Sequence, residues 1–174
     1  MANKNLNWKE VEKLLNLAFE EDIGSGDVTT ESIFPEDDIC RAVIKCKEDG
    51  ILAGLPVARA VFEKIGSLSG WKELKNDGDS ISSGDLIVEI EGTSRQVLTG
   101  ERLALNIMQR LSGIATYTSK FVKVVEGLEV KIVDTRKTIP GFRTLSKYAV
   151  EVGGGHNHRM GLYDGVLIQD NHIA

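Results

Sequence analysis

The stretch VKIVDTRKTIPGFRTLSKYAVEVGGGHNHRMGLYDGVLIQDNH, residues 130–172, decides the fold class. VKIVDTR is a continuous apolar run that ends in polar residues, the pattern of a strand buried on both faces of a parallel sheet. RTLSKYAVEVGGG reads as a helix closed by glycine, and DGVLIQDNH reads as a second strand of the same kind. Strand, helix and strand within so short a span predict a right-handed crossover unit.

In parallel α/β folds the reactive groups gather at the C-terminal ends of the strands. Both expected strand ends are polar. The first delivers Asp134, Thr135, Arg136, Lys137 and Thr138, and the second delivers Gln169, Asp170, Asn171 and His172. Between them GGGHNHR places His156, His158 and Arg159 after three glycines, whose missing side chains would let a ligand approach the backbone closely. Arg136, Lys137 and Arg159, joined by Arg102 and Arg143, offer forked guanidinium donors and a point charge suited to carboxylates and phosphates. The cluster predicts a pocket for a multiply anionic small molecule. The structural alternative pairs Arg136 and Lys137 with Asp134 and Asp170 as surface ion pairs and leaves the histidines capping the helix or bonding to backbone. GGGHNHR is neither a dinucleotide fingerprint nor a Walker loop, and no serine occupies a nucleophile elbow.

Working back toward the N-terminus, residues 94–125 carry apolar residues at threes and fours, a helical pattern that Gly100 and Gly113 are expected to break into pieces. Before that lie small strands around one or two helices. Residues 40–47 alternate as a strand, ILAG continues the sheet, and Pro56 opens a helix through about Ile65 that Gly66 stops. A short strand near Trp71, turns at NDGD and SSGD, and the strand DLIVEIEG follow. At the start, Asn7 and Glu10 have the spacing of a reciprocal helix cap, and Trp8, Val11, Leu14, Leu15 and Ala18 supply the apolar stripe of a helix over 8–20. EEDIGSGDVTT then reads as a structural turn leading into extended chain, since Glu21, Asp22 and Asp27 would repel a phosphate. Such a mixture of α and β elements with tight turns packs as a two-layer sandwich.

The 174 residues are 41% hydrophobic and 27% charged, with a net charge of −5, which fits a globular chain and excludes a disordered one. Residues 1–100 are acidic overall and residues 101–174 are basic overall, so an anion belongs in the second half. The cations are scattered among apolar residues, without the run expected of a nucleic-acid-binding arm. No stretch is apolar and long enough for a membrane span, and MANKNLNWKE lacks the apolar core of a signal peptide, so a cytoplasmic location is expected. Cys40 and Cys46 lie too far apart along one strand to bridge, and with no third cysteine neither a zinc ribbon nor a finger exists.

EDIGSGDVTT, ERLALNIMQRLSGIAT, DTRKTIPGFR and KYAVEVGGGHNHRMGLYDGVLIQDNHIA, in that order, resemble the quinolinate phosphoribosyltransferases, the carboxylating nicotinate-nucleotide pyrophosphorylases, over nearly the whole chain. The DTRKT and GGHNHR blocks are specific to that superfamily, which includes similar molybdenum-associated paralogues. The resemblance implies an α+β sandwich N-terminal domain over residues 1–110, followed over 111–174 by the start of an α/β barrel, incomplete and truncated in this chain. It implies a pentosyltransferase reaction of NAD biosynthesis: quinolinate and phosphoribosyl pyrophosphate (PRPP), with Mg²⁺, give nicotinate mononucleotide, pyrophosphate and carbon dioxide. It implies a homodimer in which Arg102 reaches the partner subunit's quinolinate. Thr135, Arg136, Lys137, His158 and Arg159 match the family's substrate-binding positions.

One position departs from the pattern. The family usually carries lysine before the DNH triplet, and this chain carries Gln169, which keeps a donor and loses the charge. No catalytic residue is assigned, and none of these residues is read as a metal ligand. The competing reading is an inactive paralogue or a non-catalytic fragment that keeps the anion pocket. A biotin- or lipoyl-carrier hairpin at NDGD and DLIVEIEG fails for want of a lysine at its tip. Because a barrel buries its strands only on closing, and the chain stops just after NHIA, the 174 residues are expected to be a truncated enzyme, inactive alone.

Overall fold

The computed structural model describes residues 6–174. In chain order the elements are α1 (Trp8–Asp22), α2 (Val28–Ile33), β1 (Ile39–Lys45), β2 (Gly50–Ile51), α3 (Leu55–Ile65), β3 (Gly70–Glu73), β4 (Ser80–Ile81), β5 (Leu86–Thr93), α4 (Ser94–Val124) and α5 (Arg143–Val152), with a 3-10 turn at Asp170–His172. β5 is the central strand of an antiparallel sheet ordered β1-β5-β3, and β2 pairs antiparallel with β4 in a small second sheet. β5 turns Ile87, Val88 and Ile90 inward, and β1 alternates exposed and half-buried residues, so only one face of the sheet is dry. Phe62, Val57 and Val61 of α3, with Leu103, Ile107 and Leu111 of α4, cover that face, and Leu52 and Leu55 join them in one core. This is the expected two-layer α+β sandwich.

Local chemistry explains the helix ends. Thr93 caps α4, its hydroxyl accepting from the Gln96 amide at 3.2 Å, and the buried Gln96 side chain donates to the Phe62 carbonyl at 2.9 Å and to the Gly66 carbonyl. Asp27 caps α2 by accepting from the Thr30 amide at 3.0 Å. Within EEDIGSGD, residues 20–22 close α1 and residues 23–26 form the expected turn, which leads into a helix rather than extended chain. The reciprocal Asn7–Glu10 cap does not form. Asn7 makes no side-chain cap bond, and the Glu10 carboxylate instead accepts from the Thr144 hydroxyl of α5. Of ILAG only Ile51 lies in a strand, β2 of the small second sheet, and the segment does not extend the main one.

Two further expectations fail for reasons of packing. Gly100 and Gly113 do not break the long helix, and α4 runs unbroken for 31 residues, about 46 Å at 1.5 Å per residue, through position 110. Gly100 sits where a Cβ would meet the Phe62 ring at 2.8 Å, so its bareness lets α3 and α4 touch. The two buried parallel strands are also not formed. Residues 130–136 and 164–172 contain no strand, and the β pairing they make among the described residues is one isolated parallel bridge, Val133 to His156. Val130, Val133, Val166 and Ile168 are exposed. A strand of that type is held by ladders on both sides and helices above and below, and residues 6–174 supply neither the ladders nor the covering layers. The crossover unit is therefore present as its helix, α5, with unpaired flanks. No helix among the described residues is long and apolar enough to cross a membrane, and Cys40 and Cys46 are both unbridged, packed at the edge of the core.

Candidate functional site

The Val133–His156 bridge brings the two sequence blocks of the cationic cluster side by side. The His156 amide donates to the Ile132 carbonyl at 2.9 Å, and the Asp134 amide donates to the His156 carbonyl at 3.0 Å. Just beyond it, Asp134 Oδ1 accepts from the His158 amide at 2.8 Å and pairs with Lys147 Nζ at 2.5 Å, while Lys147 Nζ also donates to the His158 carbonyl at 2.9 Å. Lys147 is 1% exposed and the Asp134 side chain 7%. A buried ammonium and carboxylate thus pin residue 134 to residue 158, which fixes where Thr135, Arg136 and Lys137 leave one segment and Arg159 leaves the other.

The three glycines before His156 act differently from the expected ligand approach. A Cβ on Gly153 would lie 2.4 Å from the Ala115 carbonyl oxygen, and one on Gly155 would lie 2.7 Å from Val150 and 2.9 Å from Thr118. The bareness of these two residues is filled by α4 and α5 rather than by a ligand. Gly154, at φ +87°, turns the chain out of α5 toward His156.

Each predicted site residue can now be placed. Thr135 is exposed, and its hydroxyl accepts from the Lys137 amide at 3.1 Å. Lys137 is exposed, and Arg136 is half-buried with its Nε enclosed and without a hydrogen-bond partner. Neither makes an ion pair among the described residues, so the half of the structural alternative in which Asp134 and Asp170 neutralise them does not hold, whereas its other half, histidines bonded to backbone, is met at His158 and His172. His158 Nδ1 accepts from the Arg159 amide at 2.7 Å, which places the proton of a neutral ring on Nε2, facing away from that bond. Arg159 donates to the Gly165 carbonyl at 3.0 Å. Arg143 is less free than the sequence suggested, because it donates to the Thr138 hydroxyl at 3.2 Å and to the Met160 carbonyl at 3.1 Å.

Two residues stand apart. Arg102 is exposed on α4, with no bond to the cluster among the described residues, and the Gln169 amide donates to His172 Nδ1 at 3.1 Å inside its own turn. The loop joining the cluster to that turn is stapled by Asp164, whose carboxylate accepts from the Gly161 amide at 3.0 Å and the Met160 amide at 2.6 Å. Those two N–H groups hold the Asp164 carboxyl below its ordinary value.

A cleft of about 940 Å³ opens between α1, α4 and residues 139–144 and borders the cluster at Arg143 and Met160. Leucine, isoleucine, proline and Phe142 form its apolar walls, and Lys13, Arg110 and Arg143 stand among them with Glu10 and Glu21. The residue that sequence reasoning missed is Lys147. The signal for it is a lysine next to Tyr148 and Ala149 on the inward face of a short helix, where a buried ammonium demands a carboxylate such as Asp134.

Residues 27–112 match the family described as Quinolinate phosphoribosyl transferase, N-terminal domain, and residues 114–174 match Quinolinate phosphoribosyl transferase, C-terminal domain. The chain is 48% identical over 169 residues to the probable nicotinate-nucleotide pyrophosphorylase (carboxylating) of Bacillus subtilis, covering 97% of this chain and 58% of that protein. It is 42% identical over 160 residues to the nicotinate-nucleotide pyrophosphorylase (carboxylating) of Mycobacterium leprae, covering 90% of this chain and 56% of that one. The crystal structure of NadC from Streptococcus pyogenes superposes with a TM-score of 0.92 at 41% identity, over 98% of this chain and 61% of that chain. The chain therefore spans little more than half the length of these relatives.

Proposed function

The chain belongs to the quinolinate phosphoribosyltransferase family, and from that membership we propose that it carries half of an active site that transfers phosphoribose from PRPP to quinolinate, with loss of carbon dioxide, to give nicotinate mononucleotide and pyrophosphate in NAD biosynthesis. The observation that carries this reading is the state of Arg136 and Lys137: among the described residues both are free of ion pairs, and the buried Arg136 Nε lacks a partner. An enclosed N–H left unbonded costs about 1–3 kcal/mol, a cost that a bound carboxylate or phosphate removes.

Quinolinate is a dicarboxylate and PRPP is densely anionic. Arg136, Lys137 and Arg159 bind and orient them, His158 Nε2 donates a hydrogen bond, and Thr135 lines the approach. As pyrophosphate leaves, positive charge develops at ribose C1 and the pyridine nitrogen attacks there. The cationic ring nitrogen then stabilises the electron pair left at C2 when the 2-carboxylate departs as carbon dioxide, and a proton from solvent takes up that pair to give the C2–H of nicotinate mononucleotide. The protein contributes orientation and fixed charge, with no covalent nucleophile. Mg²⁺ enters as part of the PRPP substrate.

Arg102 is proposed to complete the site from a partner subunit in a homodimer, and the location is proposed to be cytoplasmic. Gln169 supports a second reading, a binding-competent member with weak or no turnover, because a positive charge near both substrates is lost there. Steady-state release of ¹⁴C-labelled carbon dioxide from quinolinate, with PRPP and Mg²⁺, separates the two. Measured on a protein of the relatives' full length, release that disappears in Arg136→Ala supports the transferase, whereas tight quinolinate binding without release removes it.

A further inference from the structure

Lys147 binds no substrate in the proposed reaction, yet it is among the most enclosed side chains of the protein. Its ammonium has two acceptors, Asp134 Oδ1 at 2.5 Å and the His158 carbonyl at 2.9 Å. Asp134 Oδ1 in turn takes the His158 amide at 2.8 Å. The backbone of His158 is thus held on both its N–H and its C=O sides by one buried pair. The next amide, that of Arg159, donates to the His158 ring at 2.7 Å. The ring's orientation and tautomer depend on that turn.

We propose that Lys147 is a positioning residue: through Asp134 it sets the backbone turn at His158 and Arg159, and so aims His158 Nε2 and the Arg159 guanidinium at the anion held by Arg136 and Lys137. The pair joins α5 to both halves of the cluster, so it places groups that no single loop could hold in register. A buried ion pair is not required for stability as such, since apolar residues of similar volume often replace one at no cost to folding. Its retention here serves geometry. The ligand part of this inference rests on the function proposed above; the ring geometry does not.

The test uses the full chain and three variants, Lys147→Met, Lys147→Arg and the double Asp134→Leu/Lys147→Met. The double variant removes both charges together and avoids stranding one in the core. Its urea midpoint is expected to stay near that of the parent. ¹⁵N NMR of the imidazole is expected to show His158 changing from one tautomer to a mixture, with its amide exchanging about tenfold faster or more, and the quinolinate Kd rising about 10- to 100-fold. Lys147→Arg should restore part of each. A double variant that folds and keeps the parent's His158 tautomer and amide protection overturns the inference. Should the variants fail to fold, the parent decides it: a His158 amide that exchanges at the rate of an unstructured peptide overturns the proposal, and a protected one supports it. A parent that binds no quinolinate, while the His158 ring still responds in the double variant, removes the ligand assignment and leaves the positioning role standing.

Discussion

The Tyr148 hydroxyl donates to Asp77 Oδ2 at 2.6 Å across 71 residues of sequence. Asp77 also accepts from the Gly54 amide at 2.7 Å and the Leu55 amide at 3.0 Å, so one carboxylate caps the start of α3 and anchors α5. The turn NDGD of the sandwich thereby holds the helix that carries Lys147.

Replacing Tyr148 with phenylalanine keeps the ring in the core and removes one of three donors to a half-buried carboxylate. The expected loss is about 1–2 kcal/mol of stability, read as a lower urea midpoint at unchanged slope. A midpoint equal to that of the parent would show that water replaces the hydroxyl at no cost.

Asp77 also sets a sign for pH dependence. Burial pushes its carboxyl above the ordinary 3.8, against the lowering effect of the Tyr148, Gly54 and Leu55 hydrogen bonds. The folded protein therefore binds this proton more tightly than the unfolded chain. The contribution is full below about 3.8 and is lost as pH rises through the raised value. Burial pushes Tyr148 upward too, so its share is lost only in strong alkali. Asp164 works the other way, contributing above the ordinary value and losing its hold as pH falls through the lowered one. Stability of Asp77→Asn measured between pH 3 and 7 should fall less with rising pH than that of the parent; parallel curves would contradict the assignment.

Two glycines, one within α4 and one packed against it, separate packing from propensity. A methyl group at Gly113 would meet nothing within 4 Å beyond its own stretch of helix, so Gly113→Ala should stabilise by about 0.5–1 kcal/mol. Gly153→Ala drives a methyl against the Ala115 carbonyl and should destabilise by about 1–3 kcal/mol. Thermal melts of the two variants, shifting in opposite directions, check both.

Gln169→Lys restores the charge that the resembling family carries before DNH. In the proposed reaction that contact acts where charge develops, and in a protein of the relatives' full length turnover should rise on the order of a hundredfold. The same carbon dioxide assay measures it, and no gain would mean that position 169 does not act on the reacting groups.

The legible parts of this molecule were those whose signals are local. The helices expected over 8–20 and 56–65, and the strand DLIVEIEG over 85–92, follow from periodicity and from residues at their ends, and the structure differs from them by a residue or two. The two parallel strands were misread because apolar continuity states only that a segment suits burial, and the ladders that bury it come from elsewhere. Gly100 was misread because helix propensity penalises glycine, while Phe62, across a helix interface, requires it. The same holds for the site: the cations were visible as residue types, but Lys147 reads as an ordinary helix lysine until Asp134 is seen against it.

The unbroken α4 has a thermodynamic consequence. Its first turns contribute Val97, Leu103 and Ala104 to the sandwich core, and its later turns support Gly153 and Gly155 through Ala115 and Thr118. A rod shared in this way makes the two regions one cooperative unit, since melting either would strand half of a helix without its partners. Amide exchange along residues 94–124 should therefore report one opening free energy over most of its length, with the sandwich and the cationic cluster losing protection together.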